Sequence, residues 1–115
     1  MKINTNTKIK NLVGEDFKTI KDGKEATLIL GDVLFGALTN ASNIELKISW
    51  ALLPKLALED EEITLTDEQQ KALIASVEQA AKLPSDQRFG LIVYGRTLDI
   101  LNGVVEKAPE KKGKK

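Results

Sequence analysis

The sequence predicts an α+β fold, in which an N-terminal β-meander of two or three strands is followed by a compact bundle of about four helices. Near the N-terminus, apolar and polar residues alternate at period two, as in half-buried strands. Later segments carry apolar residues at helical spacing, and helix-start signals precede them. A length of 115 residues fits one domain, which we place at residues 1–106. Residues 107–115 form a lysine-rich tail that we expect to be disordered.

The predicted strands lie in the first thirty residues. Residues 7–12 alternate polar and apolar side chains, and residues 17–20 return as a second strand. Residues 26–30 form a third short strand or lead into a helix. Asp22 and Gly23 make one of the strongest hairpin dipeptides, because glycine accepts a positive φ and aspartate tolerates one.

The first two predicted helices follow directly. One opens at Gly31-Asp32 and runs to about Asn40. The next begins with a capping box formed by Ser42 and Glu45, three residues apart. It carries Pro54, which lacks an N–H group, so we expect this helix to kink or end there.

The last two helices carry clear boundary signals. The third begins at a capping box of Thr66 and Gln69 and ends before Pro84. The fourth begins at Pro84 or Ser85 and runs to about Asn102. Three glycines inside predicted helical segments are expected to permit close packing: Gly36, Gly90 and Gly95.

Charge is unevenly distributed although the formal net charge is zero. Residues 1–26 carry +2, residues 27–106 carry −6 and residues 107–115 carry +4. An acidic body repels nucleic acid, so we expect no such partner except weakly through the lysine tail. No apolar run approaches the ~20 residues that span a bilayer. We therefore predict no membrane association and a cytoplasmic protein.

The chemistry of most enzymes is missing from this sequence. It has no histidine and no cysteine, which removes the usual general base, soft metal ligands and thiol nucleophile. No glycine-rich phosphate loop and no Ser-x-x-Lys spacing occur. We predict no catalytic residues, no cofactor and no metal.

Two sets of residues are candidate partner-binding sites. The first contains residue types enriched at interface hot spots: Trp50, Arg88, Tyr94 and Arg96. The alternative is that the two aromatic rings complete the core and the arginines pair with acids. The second set is the acidic run Glu59, Asp60, Glu61 and Glu62. It is either a solvated loop or, less favoured, a site for a hard cation, and it lacks the ligand spacing of an EF-hand.

Three segments resemble small proteins encoded by tailed phages and prophages. In that group an Asp-Gly-Lys turn leads into a Leu-Gly-Asp-Val helix, as at residues 22–33 here. Acids with Leu-Thr then precede a helix, as at residues 61–68, and the final helix is similar to residues 90–101. The chain departs from the group at residues 48–56, which contain Trp50 and Pro54. The resemblance implies a phage origin and transfers no catalytic residues.

These observations favour a non-enzymatic phage accessory protein that acts through protein–protein binding. We expect it to serve virion assembly, in tail or head morphogenesis, for example as an assembly chaperone, or to act as a homo-oligomer. The alternative is an early phage protein that inhibits a host or anti-phage defence protein through an acidic surface. A small hydrolase or nucleotide-binding enzyme is the least favoured class.

Overall fold

A computed structural model describes residues 1–58 and 60–103, and it confirms the predicted α+β fold. Four helices are present in these residues: α1 (Leu30–Asn40), α2 (Leu46–Leu56), α3 (Asp67–Ala80) and α4 (Leu91–Leu101). Four short strands accompany them: β1 (Lys2–Asn4), β2 (Lys18–Lys21), β3 (Lys24–Thr27) and β4 (Glu62–Thr64). The predicted tail at residues 107–115 lies outside the described residues.

The strands form two separate antiparallel pairs rather than one meander. Strands β2 and β3 make the predicted hairpin, with Asp22 at φ 52° and Gly23 at φ 78° in its turn. The second pair joins β1 to β4, a long-range pairing that aligns Ile3 with Ile63. Residues 7–12 were expected to form a strand, but their pairing is limited to isolated bridges, because the chain crosses between the two sheets there.

Helix α1 is the centre of the domain and packs against the other three helices. Its buried side chains sit four residues apart on one face, as the sequence pattern predicts. The core is aliphatic apart from Tyr94. Its largest fully buried side chains include Ile9, Leu28, Leu30, Leu34, Leu52, Ile63, Leu73 and Leu101.

Helix starts agree with the sequence at α3 and differ at α2. At α3, Thr66 Oγ1 accepts from the Gln69 amide and Gln69 Oε1 accepts from the Thr66 amide, at 3.1 and 3.0 Å, so the predicted capping box is confirmed. At α2 the prediction was wrong, because the helix begins at Leu46. The Ser42 amide and hydroxyl donate instead to Gln79 Oε1 on α3, at 2.8 and 3.1 Å.

The fourth helix is shorter than predicted. A 3-10 turn at Ser85–Gln87 comes first, and α4 begins only at Leu91, with Gly90 as the N-terminal cap residue. This break separates the end of α3 from α4 by a segment that crosses the domain surface. The segment forms one wall of a cavity, which Gln87, Arg88 and Phe89 line.

The expected role of the helical glycines is also wrong. A Cβ placed on Gly36, Gly90 or Gly95 would meet no atom within 4 Å. The close approach lies at Gly31, where a Cβ would come 2.9 Å from the Leu56 carbonyl oxygen. Glycine is therefore needed where α1 begins against the end of α2, and not along the helices.

Candidate functional site

The exposed side of α2 carries an apolar row. Leu46, Trp50 and Pro54 are spaced four residues apart, so they lie on one face of the helix. Leu46 is 78% exposed and Trp50 is 69% exposed, whereas Leu52 and Leu56 on the opposite side are buried in the core. Two large apolar side chains at this exposure on adjacent turns are unusual for a surface without a partner.

A basic row runs beside this apolar row. Lys47, Ala51 and Lys55 are again four residues apart, each one position after its apolar neighbour, and all three are exposed. Helix α2 contains no acidic residue, although the body of the chain is acidic. We call the two rows together the α2 surface. It is a basic and apolar strip on an otherwise acidic domain.

A groove lies at the C-terminal end of α2. It has a volume of about 380 Å³ and is bounded by the β2–β3 hairpin, α1 and the end of α2. Ile20 and Phe35 line it and remain exposed to 68% and 39%. An ion pair of 2.9 Å between Lys21 Nζ and Asp32 Oδ2 lies in the same region. The groove meets α2 at Leu56 and Ala57 and contains no residue of the two rows.

Trp50 is the only tryptophan of the chain, and the structure places it on the surface. The alternative that it completes the core is therefore wrong. The reason is its position: it is two residues before Leu52, which takes the core-facing side of α2, so its own side chain points away.

Tyr94 and Arg88 are close to each other but are not free surface groups. Tyr94 is 5% exposed, and its hydroxyl accepts a hydrogen bond from the Phe89 amide at 3.1 Å. Its ring packs edge-on against Phe89, with centroids 6.1 Å apart. Arg88 donates from Nε to the Leu83 carbonyl and from Nη1 to the Phe89 carbonyl, at 2.8 and 3.0 Å. The core alternative is correct for Tyr94, which therefore offers no exposed ring to a protein partner.

Arg96 joins α4 to the N-terminal segment. It donates from Nε to the Lys10 carbonyl at 3.2 Å and from Nη2 to the Asn11 carbonyl at 2.8 Å. Beside it, exposed apolar side chains surround a shallow depression that Leu12 and Ile92 line with Gly95. This second apolar area was not predicted from the sequence, since Leu12 was assigned to a strand face.

The described part of the acidic run is held against the N-terminal segment by hydrogen bonds. Thr5 Oγ1 donates to the Leu58 carbonyl at 2.8 Å and accepts from the Glu61 amide at 2.9 Å. Asp60 lies at φ 57°, and its Oδ1 accepts from Asn4 Nδ2 at 3.3 Å. Asp60 and Glu62 are exposed and Glu61 is half-buried, while Glu59 lies outside the described residues. No group of metal-ligating side chains within residues 1–58 and 60–103 is arranged to hold a metal ion.

The predicted site residues therefore do not form one site. Trp50 belongs to the α2 surface, whereas Arg88 and Tyr94 belong to the region between α1 and α4. Arg96 holds the N-terminal segment by hydrogen bonds. Residues that the sequence reasoning missed are Leu46, Lys47 and Lys55. Their spacing with Trp50 is visible in the sequence, but which side of α2 is buried is decided by the packing on α1.

Comparison of the chain with protein-family models, with curated proteins and with solved structures finds no match. Among the helices that the structure describes, none combines the length and the hydrophobicity required to cross a membrane.

Proposed function

We propose that this protein is a non-enzymatic accessory protein that binds another protein through the α2 surface. The observation that carries the proposal is the exposure of Trp50 and Leu46 on adjacent turns of one helix. Tryptophan is the residue type most enriched at binding hot spots, and a large apolar side chain gains most from being covered. Among residues 1–58 and 60–103, no side chain covers that face, since Leu46 and Trp50 remain 78% and 69% exposed.

The two rows of the α2 surface define the chemistry of the partner. A partner helix or strand that presents apolar side chains beside carboxylates would cover the apolar row and meet Lys47 and Lys55. Because the two lysines are exposed, their attraction is screened by salt and adds more to the association rate than to the affinity. The apolar row supplies most of the affinity.

We propose the biological role of this binding from the resemblance to small phage proteins at residues 22–33, 61–68 and 90–101. We place the protein in the cytoplasm of an infected host cell, where it assists the assembly of a tail or head. The partner would be a phage structural protein, held before it enters the virion.

A second candidate function is inhibition of a host or anti-phage defence protein. The exposed carboxylates of Asp60 and Glu62 favour it, since an acidic surface competes for sites that bind nucleic acid. Such binding would be strongly salt-sensitive and would not need Trp50, which separates it from the first proposal.

The test is affinity capture of the tagged full chain from phage-infected cells, identified by mass spectrometry. Four forms are compared: wild type, Leu46→Ser with Trp50→Ser, Asp60→Asn with Glu62→Gln, and the control Leu12→Ser with Leu91→Ser. The control residues are 66% and 61% exposed and lie off α2.

We expect a virion structural subunit with the wild type and the control. With the α2 variant its affinity should fall by at least about thirtyfold, the factor that matches loss of one hot spot. Equal recovery of that subunit by the α2 variant would contradict the proposal. Recovery of one host protein, lost on Asp60→Asn with Glu62→Gln instead, would favour the inhibitor.

A further inference from the structure

A cavity of about 280 Å³ lies between α1, the end of α3, the 3-10 turn and the start of α4. Its walls are mainly apolar, with Val33 and Ala37 from α1, Ala80 from α3, and Phe89 from the segment before α4. A smaller cavity of about 150 Å³ adjoins it and shares Ala37, Asn40, Ala80 and Leu83. The volume is at the lower limit of ligand pockets, so any ligand is small.

The guanidinium of Arg88 lies at the edge of this cavity and is held in place. Its two hydrogen bonds to the Leu83 and Phe89 carbonyls, at 2.8 and 3.0 Å, use two of its five N–H donors. Across the described part of the chain, no carboxylate lies within ion-pair distance of Arg88. A fixed, half-buried cation with spare donors beside apolar walls is suited to an anion.

The beginning of α4 adjoins the cavity through Phe89, while Gly90 and Leu91 do not line it. Gly90 caps the helix without a side-chain hydrogen bond, and the first turn of α4 contains no acidic residue. The positive end of the helix dipole is therefore not neutralised within the helix. Phe89, whose carbonyl holds Arg88, directly precedes this end and also lines the cavity.

We propose that this cavity binds a small apolar carboxylate, with its carboxylate on Arg88 and its hydrocarbon part against Ala37, Ala80 and Phe89. The proposal is independent of the α2 surface, which contributes no residue to the cavity. It assigns to Arg88 the role of an anion-binding residue, where the sequence alone suggested a protein-interface hot spot or a partner of an acid.

The test is an NMR titration of the full chain, labelled with ¹⁵N, using hexanoate and hexan-1-ol as matched probes. We expect saturable shifts of the amides of Ala37, Phe89 and Tyr94 with hexanoate. Hexan-1-ol should bind at least about tenfold more weakly, because its single neutral oxygen cannot form the ion pair or the bidentate hydrogen bonds that a carboxylate forms with the guanidinium. This comparison uses the wild-type protein, so it does not depend on the folding of a variant.

Two variants complete the test. Arg88→Gln should weaken hexanoate at least about tenfold, whereas Lys82→Gln, which removes an exposed charge outside the cavity walls, should not change its affinity. The absence of saturable shifts at the cavity residues would overturn the proposal. So would equal affinity for the two probes, or hexanoate binding that Arg88→Gln leaves unchanged.

Discussion

Thr5 joins three parts of the chain at one residue. Its side chain is fully buried and hydrogen bonds both the Leu58 carbonyl and the Glu61 amide. Its backbone accepts from the Gly31 amide at 2.9 Å and donates to the Glu61 carbonyl at 3.0 Å. The N-terminal segment, the acidic loop and the first turn of α1 are therefore joined by the hydroxyl and the backbone N–H and C=O of one residue.

We expect Thr5→Val to destabilise the domain by about 1–3 kcal/mol, since it keeps the shape but leaves the partly buried Glu61 amide and Leu58 carbonyl without their partner. Thr39→Val is the control, because Thr39 is exposed and donates only to the Phe35 carbonyl of its own helix. Urea unfolding of both variants measures the difference. Equal loss of stability at the two positions would show that the buried hydroxyl has no special role.

Gly31 and Gly95 are a second pair of matched positions, at which the same substitution should have opposite effects. A Cβ at Gly31 would lie 2.9 Å from the Leu56 carbonyl oxygen, so Gly31→Ala should cost about 1–3 kcal/mol through the forced shift of backbone. A Cβ at Gly95 meets nothing within 4 Å, and alanine is the better helix former. Gly95→Ala should stabilise by about 0.5–1 kcal/mol. Thermal unfolding that shows the same sign for both would contradict this difference in environment.

Among the described residues, Asp16 has a carboxyl pKa that is clearly shifted from its ordinary value. A hydrogen bond of 2.6 Å from Lys10, helped by the charges of Lys10, Lys8 and Lys18, lowers the pKa of its carboxyl. Because the pKa of Asp16 is lower in the folded than in the unfolded chain, its pairing stabilises the fold at pH values above the ordinary aspartate pKa. That stabilisation is lost as the pH falls through the pKa of the folded state.

An NMR titration of the Asp16 carboxyl carbon should therefore show a midpoint below that of an unperturbed aspartate. Lys10→Met should return the pKa of Asp16 towards its ordinary value, because it removes the hydrogen bond and the nearest charge. Lys18→Met removes only a more distant charge and should change this pKa less. An ordinary Asp16 midpoint in the wild type would refute the pairing.

At the scale of elements, the sequence was reliable where a signal was local. The Asp22-Gly23 turn and the Thr66–Gln69 capping box both act within four residues, and both are present as predicted. The β1–β4 pair brings together Ile3 and Ile63, sixty residues apart in the chain, and no local pattern specifies such a partner. Ser42 and Glu45 satisfy the capping pattern, but Ser42 hydrogen-bonds to Gln79 on α3 and does not cap α2.

Matched alanine substitutions test this difference between two similar motifs. Thr66→Ala should cost about 1 kcal/mol, because it removes a helix cap that is present in the fold. Ser42→Ala should cost under about 0.5 kcal/mol, since it removes only an exposed hydrogen bond to Gln79. Unfolding in urea gives both values. An equal cost at Ser42 would mean that it does cap α2.

At the scale of the whole molecule, the sequence predicted the fold class but not the site. Trp50 was identified by residue type, yet its row on α2 becomes a surface only because Leu52 and Leu56 turn the other side of the helix into the core. Arg88 was identified in the same way, but the cavity beside it forms where α1 packs against residues 80–94, two stretches that are distant in sequence. Packing between distant segments decides exposure, and residue spacing alone does not.

The central claim is that the α2 surface is open in the free protein and covered in the complex. Because the chain has a single tryptophan, 5-fluorotryptophan places one ¹⁹F label at Trp50. The measurement is its ¹⁹F resonance in the free chain and with the captured virion subunit. We predict a solvent-exposed resonance, shown by its shift between H₂O and D₂O, that loses this solvent sensitivity when the subunit is added. A resonance that keeps its full solvent sensitivity in the complex would contradict the account.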